Sequence, residues 1–309
     1  MRAVIARDQQ SGIGGLSVED VPHPHAAEND VIVRVHAASF TPGELDWPGT
    51  WSDRAGRDRA PSIPGHEVSG VVAELGYGTT GLTIGQRVFG VADWTRNGTL
   101  AEYVAVEARN LAPLSGDIDH TVAASVPISG LTAWQALYDH GRLATGQTAL
   151  IHGAAGAVGS MAVQLAIEAG ARVIGTGRAE HADAVLGLGA HDFVDLNEQR
   201  LEDLAHVDLV LDVLGGEILD RSAKLIRPGG VLVTVAEPPR IQPDHGRAVF
   251  FVVEADRQCL VQIERRVRDG RLQPPASCVR PLSEAVDAFD PKNRAGKPVI
   301  QVVDDTSHT

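Results

Sequence analysis

The sequence predicts an α/β protein in two parts, a small β-rich domain followed by a doubly wound parallel sheet. Three observations carry this reading. Residues Thr148 to Arg178 run as strand, glycine turn, helix and second strand, the unit from which dinucleotide-binding sheets are built. After them, short apolar runs alternate with helical stretches, as parallel strands joined by crossover helices require. At 309 residues the chain is longer than one hydrophobic core comfortably serves, so two domains are expected.

Each element has its own local reason. Over the first 120 residues, Ala3–Ala6, Asp30–Ala38, His66–Glu74, Gln86–Gly90 and Leu100–Val106 are strand-like runs separated by glycines and prolines. Gly49–Pro64 is a charged loop bounded by proline. A helical pattern runs from Leu131 to Tyr138. Thr148–His152 is a short apolar strand, Gly153–Gly159 a turn of tiny residues, Ser160–Ala169 an apolar-rich helical stretch, and Arg172–Thr176 a strand closed by Gly177. Phe193–Leu196, Asp208–Val213, Val231–Val235 and Val249–Val253 read as further buried strands, with Asp203, Pro228-Gly229-Gly230 and Pro238-Pro239 punctuating the connections. Gln258–Arg268 and Leu282–Phe289 read as helices and Pro298–Val303 as a last strand.

The turn is the expected cofactor cradle. Ala154, Ala155, Gly156, Ala157, Val158 and Gly159 are small enough for the backbone to approach a pyrophosphate. The helix starting near Ala157 turns its free N–H groups and the positive end of its dipole toward that charge. Ala154 occupies the first glycine position of the usual G-x-G-x-x-G pattern. A purely structural βα turn is the alternative. The end of the second strand chooses between nicotinamide cofactors. A carboxylate there would bond a ribose 2′-hydroxyl and repel a 2′-phosphate, but this chain has Thr176-Gly177-Arg178. Gly177 removes the repulsion and Arg178 offers a guanidinium fork suited to phosphate, so NADP(H) is expected; the alternative is a solvated Arg178 paired with Glu180 or Asp183. Val235 and Ala236 end a strand at the carboxyl edge, where ligands of such sheets sit.

Composition narrows the function. Twenty-seven Lys and Arg against 40 Asp and Glu give a net charge of −13, which disfavours nucleic acid and anionic membranes as partners, since both demand a basic face. There is no apolar run of transmembrane length, and the N-terminus becomes polar too early for a secretory signal, so a cytoplasmic location is expected. Cys259 and Cys278 are the only cysteines and form no metal or CxxC pattern.

Several segments together give a specific resemblance. They are Pro64-Gly65-His66-Glu67-Val68-Ser69-Gly70, Gly85-Gln86-Arg87-Val88-Phe89-Gly90, Gly98-Thr99-Leu100-Ala101-Glu102-Tyr103-Val104, Gly130-Leu131-Thr132-Ala133-Trp134, His152–Gly159 and Gly296-Lys297. In content and order they resemble the medium-chain dehydrogenase/reductase superfamily over nearly the whole chain. The form of the glycine turn and the Phe40-Thr41-Pro42 loop are similar to its zinc-independent quinone oxidoreductase branch. The resemblance implies a GroES-like catalytic domain over residues 1–121 and 255–309, and a Rossmann NADP-binding domain over 122–254. It also implies a homodimer, with Val249–Val253 as the sheet edge at which relatives pair.

The same resemblance frames the metal question. Gly65-His66-Glu67 is the string that carries a zinc-binding histidine in the alcohol dehydrogenase branch. A catalytic zinc needs about three protein ligands. Where that branch takes its cysteines, this chain has Ser39–Pro42 and Ser125–Gly130, so no metal is expected and His66 is read as a residue of the acceptor site. Without a metal to stabilise an alkoxide, the implied acceptor is a small molecule that delocalises the incoming charge, a quinone or an α,β-unsaturated carbonyl. A zinc alcohol dehydrogenase and a noncatalytic NADPH-binding or sensing protein stay open. Thr132 aligns with a family position near the nicotinamide, although a helix-start hydroxyl reads the same way. Phe250, Phe251 and Val252 match a segment flanking that ring, and Arg294 or Lys297 reaches the cofactor from the returning segment. Phe40, Trp47, Trp51 and Trp94 are candidates for a flat aromatic acceptor site, with Thr41 as proton donor. Thr41 replaces the asparagine of many relatives, and Glu44 lies near their aspartate position.

Overall fold

The computed structural model describes residues 1–293 and 295–303. They divide into two compact units, Met1–Pro127 with the segment from Ala255 onward, and Ile128–Glu254.

The first unit opens with a hairpin of β1 (Arg2–Ala6) and β2 (Leu16–Asp20). The long β3 (Asp30–Ser39) follows, buried along its length except at Arg34, and its run of β-branched residues suits a strand covered on both faces. After the single helical turn α1 (Pro48–Trp51) come β4 (Glu67–Leu75), β5 (Arg87–Val91), β6 (Tyr103–Glu107) and the short β7 (Leu111–Pro113). β3 pairs antiparallel with β4 on one side and with β6 on the other, while β5 lies between β4 and β7. The stretch Leu100–Ala101, expected to start β6, instead makes a bridge between Ala101 and Ala3, and both residues are fully buried.

Helix α2 (His120–Ser125) is capped by the Asp119 carboxylate, which accepts from the Thr121 N–H. Its Ala124 packs against Ala37 of β3 and Val299. That contact keeps the chain in the first unit as far as Pro127, beyond the boundary at 121 expected from sequence. Helix α3 (Pro127–Trp134) then runs into a π-helical turn, Gln135–His140. The Gln135 side chain both donates to the Glu254 carbonyl (2.7 Å) and accepts from its N–H (3.1 Å).

The second unit is a parallel sheet built from β8 (Thr148–Ile151), α4 (Ala157–Glu168), β9 (Arg172–Gly177), α5 (Ala182–Gly187), β10 (Asp192–Asp195), β11 (Val207–Asp212), α6 (Gly216–Ser222), β12 (Ile226–Thr234) and β13 (Arg247–Phe250). The strand order is β10-β9-β8-β11-β12-β13, every pair parallel. The order therefore reverses between β8 and β11, the position where such sheets open a ligand crevice at their carboxyl ends. β13 is the sheet edge.

The returning segment supplies α7 (Arg257–Arg268), β14 (Ser277–Pro281) and β15 (Lys297–Gln301). β15 lies antiparallel to β3 and parallel to β14. Between these strands the expected helix Leu282–Phe289 is replaced by two 3-10 turns, Leu282–Glu284 and Asp287–Phe289. Its apolar residues Leu282, Ala285 and Ala288 recur every third position and are buried in the core of the β unit, a spacing that suits three residues per turn. Among the described residues no helix is long and apolar enough to cross a membrane.

Two buried histidines tie this framework together. His120 stacks on His36 with ring centroids 4.3 Å apart. Its Nε2 accepts from Arg87 Nε (3.2 Å), so its Nδ1–H faces Ser69 Oγ (2.7 Å). In the second unit His152 joins three elements: its Nδ1 is 2.9 Å from Thr176 Oγ1 and its Nε2 2.8 Å from Ser222 Oγ. The Ser222 hydroxyl donates to the Ile218 carbonyl, so Nε2–H is the donor to Ser222 and Nδ1 accepts from Thr176. Burial holds the His120 pKa down at about 3, helped by His36, Arg87 and Arg34 against Asp119, and holds His152 at about 4. Both lie below the ordinary value of about 6.5, so the unfolded chain takes up the protons first. Their stabilisation is complete above pH ~6.5 and is lost as pH falls from there toward the folded values. Unfolding free energy measured from pH 7 to pH 5 is expected to drop by about 2 kcal/mol for each imidazole. His152→Gln should flatten the dependence; a slope unchanged by it contradicts the assignment.

Candidate functional site

In the second unit the candidate site is the carboxyl edge of the sheet. β8 ends at Ile151, and α4 begins at Ala157 with Gly156 as its N-cap and no side chain capping the first-turn amides. Those N–H groups are left for a ligand, at the positive end of a twelve-residue helix. Gly153 turns the chain with φ +62°, and Ala154, fully buried, donates its N–H to the Thr176 carbonyl (3.0 Å). A Cβ at Gly159 would lie 2.7 Å from Ala154 Cα, so α4 packs on the turn only because that residue has no side chain. Ala155, Gly156, Ala157 and Val158 remain at least partly exposed along this surface. The turn thus has the two properties a pyrophosphate demands, close backbone approach and unspent amides.

Beside it, Asp212 ends β11 as a fully buried carboxylate without a cation in contact among the described residues. It accepts from the N–H groups of Leu214 (3.1 Å) and Gly215 (3.1 Å) and from Thr234 Oγ1 (2.7 Å). Glu237 takes the Gly216 N–H (2.7 Å). These two acids fix the loop next to the glycine turn, and sequence reasoning missed both. The signal available was an acidic residue closing an apolar strand just before Gly215-Gly216.

The strand ends carry the other expected cofactor residues. Gly177 closes β9, and Arg178 beyond it is largely exposed, 3.2 Å from Glu180 Oε1 and 3.4 Å from His181 Nε2. Exposed pairs of this kind are worth little, so the guanidinium is available to a stronger anion. Val235, partly buried, and Ala236, exposed, follow β12. Phe250 and Val252 are exposed, whereas Phe251 is buried with its ring 4.4 Å from that of His140. Thr132 is buried within α3. Arg294 lies outside the described residues.

In the first unit the structure brings Trp47, His66 and Trp94 into one aromatic cluster. The Trp47 and His66 planes lie 17° apart with centroids at 6.1 Å. Trp94 stands edge-on to Trp47 at 5.4 Å and is tilted 64° to His66 at 4.8 Å. His66 is buried, and among the described residues nothing hydrogen-bonds its Nδ1. Burial pushes its pKa down to about 3, with Arg59 adding to the effect and Asp93 opposing it. The ring is therefore neutral.

Two sequence candidates lie elsewhere. Phe40 is fully buried and stacked on Phe289 at 3.9 Å, so it supports the core rather than lining a site. Trp51 packs against the same core and donates its indole N–H to the Leu45 carbonyl (2.7 Å). Lys297 also departs from expectation. Its ammonium is buried and ion-paired with the buried Glu67 carboxylate at 2.6 Å, because a cation in that position must have a counter-charge. It is not available to a cofactor.

Glu44, given no role from sequence, is the buried acid of the Thr41 loop. One carboxyl oxygen accepts the Gly65 N–H (2.6 Å) and the other the Thr41 N–H (3.1 Å). Burial outweighs both bonds and pushes its pKa up to about 8, with Glu67 adding to the rise and Lys297 opposing it.

A zinc ion does not fit this donor set. Among the described residues no three His, Cys, Asp or Glu side chains are grouped as ligands. Both cysteines lie far along the chain, Cys259 in α7 and Cys278 in β14, and Glu67 is spent on Lys297.

Comparison with known proteins agrees with both units. Residues 27–116 match the alcohol dehydrogenase GroES-like domain and residues 157–252 the zinc-binding dehydrogenase family. A polyketide synthase protein of Streptomyces orinoci, NorB, is 37% identical over 228 residues, 68% of this chain, but the chain spans only 10% of that protein's length. The mitochondrial NAD(P)H oxidoreductase RTN4IP1 of Bos taurus is 30% identical over 327 residues, covering 89% of this chain and 82% of its own. Among solved structures, the quinone oxidoreductase from Coxiella burnetii is 29% identical, with a TM-score of 0.88 over 98% of this chain and 99% of that one. With its fold, its glycine turn and these likenesses in agreement, the chain belongs to the medium-chain dehydrogenase/reductase superfamily, in its quinone oxidoreductase-like branch.

Proposed function

We propose that this chain is an NADPH-dependent oxidoreductase that passes hydride to a quinone or an α,β-unsaturated carbonyl without a metal ion. The observation that carries the reading is the glycine turn with its uncapped α4 amides, set beside a strand end that offers Arg178 and no carboxylate. When bound, NADP(H) supplies the hydride from its nicotinamide ring. The chain's own residues do the rest. The first-turn amides of α4 hold the pyrophosphate, and Arg178 exchanges Glu180 for the 2′-phosphate. Asp212 and Glu237 keep the neighbouring loop in place.

On the acceptor side, Trp47, His66 and Trp94 form an aromatic, largely apolar cluster, Trp47 and His66 near parallel and Trp94 edge-on to Trp47, suited to a planar conjugated molecule. A neutral His66 brings no positive charge to an alkoxide, so the acceptor must spread its new charge through its own conjugation. Hydride addition gives a hydroquinone anion or an enolate, and one proton completes the reduction. The Thr41 hydroxyl or water supplies that proton in this reading. The likeness to a quinone oxidoreductase supports the quinone arm.

Two outcomes test the proposal. Arg178→Ala should raise KM for NADPH about tenfold, the value of one charge-assisted phosphate contact, while KM for NADH stays almost unchanged; equal losses with both would show that Arg178 does not read the phosphate. Reduction of 9,10-phenanthrenequinone by NADPH should be unaffected by EDTA. Loss on chelation with recovery on added zinc would restore the metal-dependent alternative.

A further inference from the structure

The Thr41 loop carries more internal bonding than its sequence suggests, and one side chain is its centre. We propose that Glu44 is a positioning residue for the acceptor site: its buried carboxyl ties the backbone at Thr41 to the backbone at Gly65 and thereby sets Trp47 against His66 and Trp94. The inference rests on the assignment of that aromatic cluster to the acceptor.

Glu44 is fully buried, and each of its carboxyl oxygens takes one N–H from a different segment. Its own carbonyl accepts the Thr50 hydroxyl (2.6 Å), and the carbonyl of the next residue, Leu45, accepts the Trp51 indole (2.7 Å). The loop is thus closed on itself around residues 44 and 45; Arg59 fastens its far end by donating to the Gly49 and Trp51 carbonyls, and the Glu44 side chain fastens its near end to Gly65. His66 follows immediately, and among the described residues its Nδ1 has no hydrogen-bond partner. Aromatic packing is what orients that ring, so its placement depends on where the loop puts Trp47.

The contrast with Glu67 sharpens the role. Glu67 is buried with Lys297 against it at 2.6 Å, whereas Glu44 meets backbone amides. Burial keeps Glu44 in its neutral form up to about pH 8, with Glu67 and Lys297 the charged groups within reach. A neutral acid can span two amides without bringing an uncompensated charge beside the Glu67–Lys297 pair. Reach matters as well, since both methylene groups are needed to touch the two segments at once.

The experiment compares Glu44→Gln, Glu44→Asp and Glu44→Ala with Trp47→Phe as reference, using 9,10-phenanthrenequinone as acceptor. Near-ultraviolet circular dichroism reads the packing of the four tryptophans, and the Trp47→Phe reference isolates the part that Trp47 contributes. The acceptor KM should rise about tenfold in the alanine variant, the equivalent of one lost buried hydrogen bond, with KM for NADPH unchanged and kcat less affected. The aromatic dichroism should move toward that of Trp47→Phe. Glu44→Gln, which keeps an acceptor for Gly65 but turns an amide N–H toward Thr41, should be intermediate, and the shorter aspartate should resemble alanine. If the alanine variant does not fold, the glutamine variant decides. Wild-type dichroism and acceptor KM in the variants, or equal losses for NADPH and acceptor, would overturn the proposal. If the wild-type protein reduces neither quinone nor enone, the functional reading fails, while the dichroism still judges Glu44 alone.

Discussion

Where α4 crosses the turn that precedes it, backbone meets backbone with no space for a side chain at Gly159. The cofactor end of the molecule follows from that contact. It draws the helix N-terminus down onto the end of β8, leaves the amides after Gly156 uncapped, and does so at the place where the sheet order reverses between β8 and β11. A larger residue at 159 would lift the helix and spread the amides. The dipole of α4, the small residues of the turn and the parallel strand order therefore describe one site through three kinds of physics: electrostatics, steric contact and topology.

The buried ionisable groups show how differently one chain satisfies the same constraint, that a charge or polar atom taken from water needs a partner. Asp212 gathers two loop amides and a hydroxyl. Glu67 takes an ammonium from the returning strand. His152 stays neutral by bonding two hydroxyls from separate elements. Glu44 stays neutral by burial and uses backbone amides. Each solution fastens segments distant in sequence. In a protein of net charge −13, binding an anionic cofactor depends on such local arrangement, because the global field opposes it.

The strand, turn and helix around Gly153–Gly159 were legible because the periodicity, the small residues and the flanking strands all point the same way. The segment Leu282–Phe289 looked helical because its apolar residues share one face; a period of three and core packing made it two 3-10 turns. Phe40 and Trp51 looked like acceptor contacts by sequence proximity to Thr41, but the core claims both rings. Lys297 looked free to reach the cofactor because its counter-charge is 230 residues away at Glu67, and local reading cannot see such a pair.

Sequence by itself determined the superfamily, the βαβ cradle, the lack of a carboxylate beside Arg178 and the want of thiolates near His66, since each of these is a property of residue type at short spacing. Tertiary structure alone decided which aromatic rings meet, which carboxyls are neutral, and that Glu44 joins the Thr41 loop to the turn before His66. The reason is physical: hydrogen-bond geometry and burial depend on segments that approach from far along the chain, and desolvation, which sets the charge of Glu44 and His66, exists only once the chain has packed around them.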